Sequence, residues 1–195
     1  MNKLLKAGVL SLALASSLVY AAEDFGDKSY SLIGIEGGYG NFDFDHGVTG
    51  SITTTSKSPA EYGFKIGAQS SEYRLFLSAR SYTMSDFKNV YSLGAEIQYL
   101  LDVSSYMNVF MGVGAGQMNF KYTASSSVAD VSDDKTYYSG DLGANFHVAD
   151  SLDVEVGGRY MYLGYDKTSS TTAVGKIDHM VYGYASLIYR FQMED

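Results

Sequence analysis

The segment from Val181 to Phe191 constrains this chain more than any other. In an extended strand, side chains alternate between two faces. Val181, Gly183, Ala185, Leu187, Tyr189 and Phe191 therefore share one face, which is apolar and ends in aromatics. Arg190 falls on the other. This arrangement suits a strand with lipid outside and a polar lumen inside.

The same period of two recurs along the chain and predicts eight strands, at residues 30–44, 61–69, 73–83, 90–101, 106–122, 136–148, 152–165 and about 181–191. Each is long enough to cross an apolar core when tilted. Ile33, Ile35, Gly37 and Tyr39 share the outer face of the first strand, and Tyr62, Phe64, Ile66 and Ala68 that of the second. Leu75, Leu77 and Ala79 follow in the third, and Leu93, Ala95 and Ile97 in the fourth. Met111, Val113 and Ala115 are placed outside in the fifth, with Gly112, Gly114 and Gly116 inside, where they leave room for water.

Opposite these faces lies a set of charges. Glu36, Lys65, Arg74, Arg80, Glu96, Asp141, Asp153, Glu155, Arg159 and Arg190 are predicted to share the lumen. Desolvated charges must pair, or each costs several kcal/mol. Outside, Tyr73, Tyr99, Tyr160, Tyr162, Tyr189 and Phe191, with Phe64, Tyr138 and Phe146, are the candidate aromatic girdles at the membrane surfaces.

The connections alternate in length. Residues 70–72, 102–105 and 149–151 are short turns; residues 45–60, 84–89, 123–135 and 166–177 are longer loops. Short turns on one side and long loops on the other characterise outer-membrane barrels. The fold class is all-β, an eight-stranded antiparallel up-and-down transmembrane barrel.

Residues 1–21 are predicted to be a signal peptide, with basic Lys3 and Lys6, a short apolar stretch and small residues before the cleavage site after Ala21. The barrel domain is expected to fill residues 22–195, with no second domain. Without Lys3 and Lys6 the net charge moves from −8 to −10, which argues against a nucleic-acid partner. There is no cysteine, so neither a disulfide framework nor a thiolate metal site is available. The chain has 18 Tyr and 21 Gly but one Pro, which suits interfacial rings and crowded interiors rather than an ordinary soluble domain.

Over residues 22–195 the chain resembles the transmembrane barrels of the OmpA/OmpX type, a porin-like outer-membrane family. Its last strand is similar to the C-terminal strand that the outer-membrane assembly machinery reads by its terminal aromatic, here Phe191. The resemblance implies a bacterial outer-membrane location in a Gram-negative envelope. It also implies both termini in the periplasm, contact with outer-membrane lipid and lipopolysaccharide, and a monomer.

Three functions stay open. The first is a structural barrel that displays surface loops, with a narrow gated pore for small solutes in reserve. An eight-stranded interior is just wide enough for side chains to fill it, which favours a salt-bridged plug over an open pore. The second is an adhesin or receptor-binding protein acting through residues 51–58 (SITTTSKS), 168–172 (TSSTT) or the acidic loop with Asp130, Asp133 and Asp134. The third is a lipid A-modifying enzyme, which needs histidine, serine and carboxylate in reach of one another. His46 and His179 lie beside Asp45 and Asp178 near the rim, but adjacent strand residues point apart. His147 is expected in the lumen near the opposite end. No catalytic residue, metal site or cofactor is predicted.

Overall fold

The computed structural model describes residues 29–48, 51–83, 87–122, 131–168 and 174–192. The expected signal peptide at 1–21 lies outside them, as do Asp130 and residues 169–172. Among the described residues nine strands form one antiparallel sheet: β1 (Tyr30–Val48), β2 (Ser51–Lys57), β3 (Ala60–Gln69), β4 (Tyr73–Thr83), β5 (Phe87–Ser104), β6 (Met107–Tyr122), β7 (Val131–Ala149), β8 (Leu152–Thr168) and β9 (Val174–Gln192). Each strand pairs with its neighbour, and β1 also pairs with β9 from Tyr30↔Gln192 to Gly47↔Val174. The sheet is a closed up-and-down barrel.

The wall has eight staves, because β2 and β3 are one stave interrupted at Ser58 and Pro59, and both pair with β1. Proline has no N–H to give to a ladder, so a strand breaks there. The Pro59 carbonyl still accepts a hydrogen bond from the Gly40 N–H at 3.0 Å, which carries the ladder past the break.

The predicted faces hold in every stave. Ile35, Phe64, Leu93, Val113, Leu142, Val156 and Leu187 are exposed on the outside. The turn-end girdle holds Tyr73, Tyr99, Phe146, Tyr189 and Phe191, with the Tyr73 and Tyr99 rings 5.2 Å apart. Tyr138, Tyr160 and Tyr162 form the opposite girdle with Tyr39, Tyr62 and Tyr91. Such an apolar belt far exceeds what a soluble protein exposes.

The connections differ from expectation. Residues 51–57, predicted as loop, form β2, where Thr54 Oγ1 donates to Asp45 Oδ1 at 2.7 Å and Ser56 Oγ to Asp43 Oδ1 at 2.6 Å. Residues 87–89, 131–135, 166–168 and 174–177 are likewise strand, which places Asp133 and Asp134 in β7. Ser and Thr on one strand against acids on the next satisfy each other laterally, so a hydroxyl-rich segment becomes ladder. The short turn at 70–72 stands, whereas those expected at 102–105 and 149–151 narrow to 105–106 and 150–151. At about 3.3 Å per residue, strands of up to 19 residues far exceed an apolar band of about 25 Å. The surplus lies on the side away from the short turns. There, Gly164 takes a positive φ of 53° beside a register shift between β8 and β9.

An arginine on the outer wall would face hydrocarbon. Val113→Arg is therefore expected to lower stability by about 2–4 kcal/mol in lipid vesicles. Thr54→Arg, on the hydroxyl-rich extension, should leave the urea-unfolding midpoint within error. Equal losses in the two variants would place the bilayer elsewhere on the wall.

Candidate functional site

Alternation turns one side chain in two toward the barrel axis, and eight staves leave no channel between them. The inward residues from the turn end outward are Arg74, Phe76, Ser78, Arg80 and Tyr82 on β4. On β9 they are Arg190, Ile188, Ser186, Tyr184, Tyr182 and Met180. The lumen is thus layered, ionic at the turn end and centre, apolar toward the extended strands.

Every predicted lumen charge is placed there. At the turn end, Asp153 Oδ1 forms an ion pair with Arg190, whose Nε lies 3.2 Å away, and lies 2.8 Å from His147 Nδ1. Arg190 also donates to the Asp150 carbonyl at 3.2 Å and lies over the Tyr30 ring. Above it, Glu155 holds Arg74 Nη1 at 3.0 Å on one oxygen and Lys65 Nζ at 2.7 Å on the other. Lys65 then reaches Glu36 Oε2 at 3.3 Å. Glu36 is the hub, for its Oε1 accepts from Arg80 Nε at 2.7 Å and Arg159 Nη1 at 2.8 Å. Its Oε2 accepts from Arg159 Nη2 at 3.4 Å and Ser186 Oγ at 3.3 Å. Arg80 Nη2 donates to Glu96 Oε1, and Arg159 Nε to Asp141 Oδ1 at 2.7 Å.

Phe76 and Tyr184 line this chain of ions. Lys65 Nζ sits 4.8 Å from the Phe76 centroid, and the Arg159 guanidinium 4.5 Å from that of Tyr184. A desolvated cation over a ring face gains up to about 2 kcal/mol. Aromatics therefore hold cations where carboxylates cannot surround them.

Two parts of the lumen were not foreseen. Glu61, 3% exposed, joins the centre through Arg159 Nη1 at 3.1 Å. It has the same parity as Lys65 and Gln69, so the alternation of its strand already placed it inside. The second is an apolar plug beyond the ions, where Phe42, Tyr82, Met118, Phe120, Tyr137, Met161, Ile177, Met180 and Tyr182 pack together with nothing more than 4% exposed. A polar lumen was expected throughout. The period of two carried the signal for the plug too, since Met180 and Tyr182 share the face of Arg190.

Nor do the β6 glycines leave space for water. A Cβ on Gly114 would lie 2.6 Å from Ser139 Oγ and 2.9 Å from Glu96 Cγ, and one on Gly116 2.6 Å from the Tyr137 ring. Neighbouring side chains occupy what these glycines vacate.

The two histidines with described side chains, His147 and His179, do not converge. His147 Nε2 lies 3.4 Å from Asn108 Nδ2 at the turn end. His179 is exposed on the outer wall, stacked on Tyr160 at 5.6 Å, while Asp178 pairs with Lys176 at 2.9 Å. The His46 side chain lies outside the described residues.

Arg159 touches four carboxylates, so its removal leaves several buried anions short of a partner. Breaking a buried pair costs about 3–5 kcal/mol. Arg159→Ala is expected to lose at least that much in urea unfolding, against about 0.5 kcal/mol or less for Thr54→Ala at the exposed ladder. Because water is excluded, 0.5 M salt should change the Arg159→Ala difference little.

The fold has solved counterparts at low identity. Neisserial surface protein A matches with a TM-score of 0.58 at 13% identity, covering 85% of this chain and 100% of that one. The N-terminal β-barrel domain of Pseudomonas aeruginosa OprF matches with a TM-score of 0.52 at 12% identity, over 81% and 97% of the two chains. The outer membrane protein AlkL matches with a TM-score of 0.50 at 15% identity, over 88% and 93%. No curated protein matches in sequence. At these identities the structural likeness is one of fold. The sequence model of the outer membrane protein beta-barrel domain, however, matches residues 7–186. The chain belongs to this family and is a bacterial outer-membrane β-barrel protein.

Proposed function

We propose that this protein is a structural, surface-displaying barrel whose lumen is shut at rest and whose long strands carry recognition outside the cell. The observation that carries this reading is the double closure of the lumen. The charges from Arg74 to Arg159 are paired across it, and beyond them the apolar plug fills the lumen with buried side chains. A solute would have to separate ion pairs and then cross an apolar constriction that water itself avoids.

What remains available to a partner is the extension. β2 pairs only with β1 among the described residues, and it presents Ile52, Thr53, Thr54 and Ser56 to solvent. In this reading the short turns and both termini face the periplasm, and lipopolysaccharide surrounds the upper girdle. The assembly machinery engages β9 with its terminal Phe191.

A gated pore is the second reading, and one observation favours it. Arg80 and Arg159 both reach Glu36, Glu61 and Glu96, so these pairs can exchange partners without leaving a charge bare. The plug would still have to move. An enzyme lacks an assembled histidine, serine and carboxylate among the described side chains, and it is not proposed.

Single-channel recording of the refolded chain, residues 22–195, in a planar lipid bilayer separates the two readings. The display reading expects verified insertion with no unitary conductance. Discrete steps that change in Arg159→Ala would overturn it in favour of a pore through the charged lumen.

A further inference from the structure

The central ion network does not balance. Its nine groups form one continuous chain of ion pairs, from Arg74 through Glu155, Lys65 and Glu36 to Arg80 and Arg159 and their carboxylates. Five are acids (Glu36, Glu61, Glu96, Asp141, Glu155) and four are bases (Lys65, Arg74, Arg80, Arg159). None is more than 5% exposed, so water cannot screen the difference. Asp153 lies outside this chain and has its own cation in Arg190. An unpaired charge in such a place is far costlier than a neutral polar group. The group neutralises instead.

The hydrogen bonds say which one. Glu36 accepts four charged N–H contacts, and both oxygens of Glu155 are paired. Glu96 Oε1 takes Arg80 and Ser78, and Asp141 Oδ1 takes Arg159 Nε at 2.7 Å. Glu61 is the least compensated. Among the described residues its one hydrogen bond, at 3.1 Å, comes from the Arg159 Nη1 that also serves Glu36 at 2.8 Å. Arg80 Nε, also held by Glu36, stands farther off at 3.6 Å. Among the described residues Glu61 Oε2 is buried with no hydrogen bond, as are Glu96 Oε2 and Asp141 Oδ2, but the other oxygens of those two acids each hold a guanidinium nitrogen that no second carboxylate shares. Two carboxylates thus crowd one guanidinium nitrogen, and like charges so placed do not both ionise.

We infer that the lumen binds one proton at neutral pH, on Glu61 beside Glu36. Protonation makes the network four against four and turns the unbonded oxygen of Glu61 into a hydroxyl. The groups facing Glu61 are Glu36 from β1, Arg80 and Tyr82 from β4, Glu96 from β5, Arg159 from β8 with its Asp141 from β7, and Tyr182 from β9. The two tyrosines belong to the apolar plug, so a second negative charge at this level would be driven against apolar rings. The ligand is the proton itself, and the site is built from a carboxyl–carboxylate pair on a shared guanidinium.

Infrared spectroscopy of the chain refolded in lipid vesicles tests this directly. At pH 7 the wild-type barrel should show a protonated-carboxyl C=O band that shifts in D2O. The band should be absent in Glu61→Gln, in which an amide replaces the neutral carboxyl with the same shape. Glu61→Gln should also keep its urea midpoint at pH 7, whereas Glu155→Gln, which removes a doubly paired carboxylate, should lower it. No such band in the wild type, or a band that survives in Glu61→Gln, overturns the assignment. The wild-type spectrum decides the first point even if a variant fails to refold.

Discussion

The pairing of β1 with β9 is the constraint on which everything else rests. Within lipid no water satisfies a free N–H or C=O, so a sheet survives there only without edges. The β1–β9 ladder provides that closure from Tyr30↔Gln192 to Gly47↔Val174. Closing at eight staves sets the diameter, and at this diameter the interior is filled by side chains. The outer face must then be apolar for lipid, and the inner face must satisfy itself. Ion pairs, cation–ring contacts and a methionine-rich plug are three ways of meeting that second demand.

The barrel was legible because two environments act on every stave at once. Lipid on one face and a packed lumen on the other impose strict alternation, and a one-residue slip would exchange them. The ten charges predicted inside, from Glu36 to Arg190, all sit there because no other face of a spanning strand tolerates them. The ends of the strands were not legible, for a different reason. Ser51–Lys57 carries hydroxyls and a lysine, which in isolation read as loop, and only the partners Asp43 and Asp45 across the ladder make a strand of them. Such lateral pairing is a property of two segments together.

The lumen interior failed in an instructive way. Glu61 stands two residues after Pro59, at the start of its predicted strand, where attention falls on the turn rather than on the face. In β9 both faces are apolar, so Arg190 alone stood for the inner side, while Tyr182, Tyr184 and Ile188 were assigned to neither lipid nor lumen. Inward apolar residues carry no mark in a single sequence when their outward neighbours are apolar too. Counting charges would not have found Glu61, since the ten charges predicted inside are five acids and five bases and already balance.

The plug and the ion network depend on each other. Packed rings and methionines keep water from one end of the network, and a water-poor lumen strengthens each pair that it encloses. The pairs in turn tie β1, β3, β4, β5, β7 and β8 together across the axis, which holds the staves at the spacing the plug requires. Glu61 is where these parts meet. By register it faces Tyr82 of the plug, it shares Arg159 with Glu36, and it follows the Pro59 break from which the β2 extension rises. Charge added at Glu61 would act on all three, since it would press an anion against the plug, compete with Glu36 for its guanidinium, and do so beside the break in the wall. A barrel that is to stay shut is therefore best served by a neutral group at this position, and a barrel that is to open has in Glu61 the residue whose charge would loosen both barriers together.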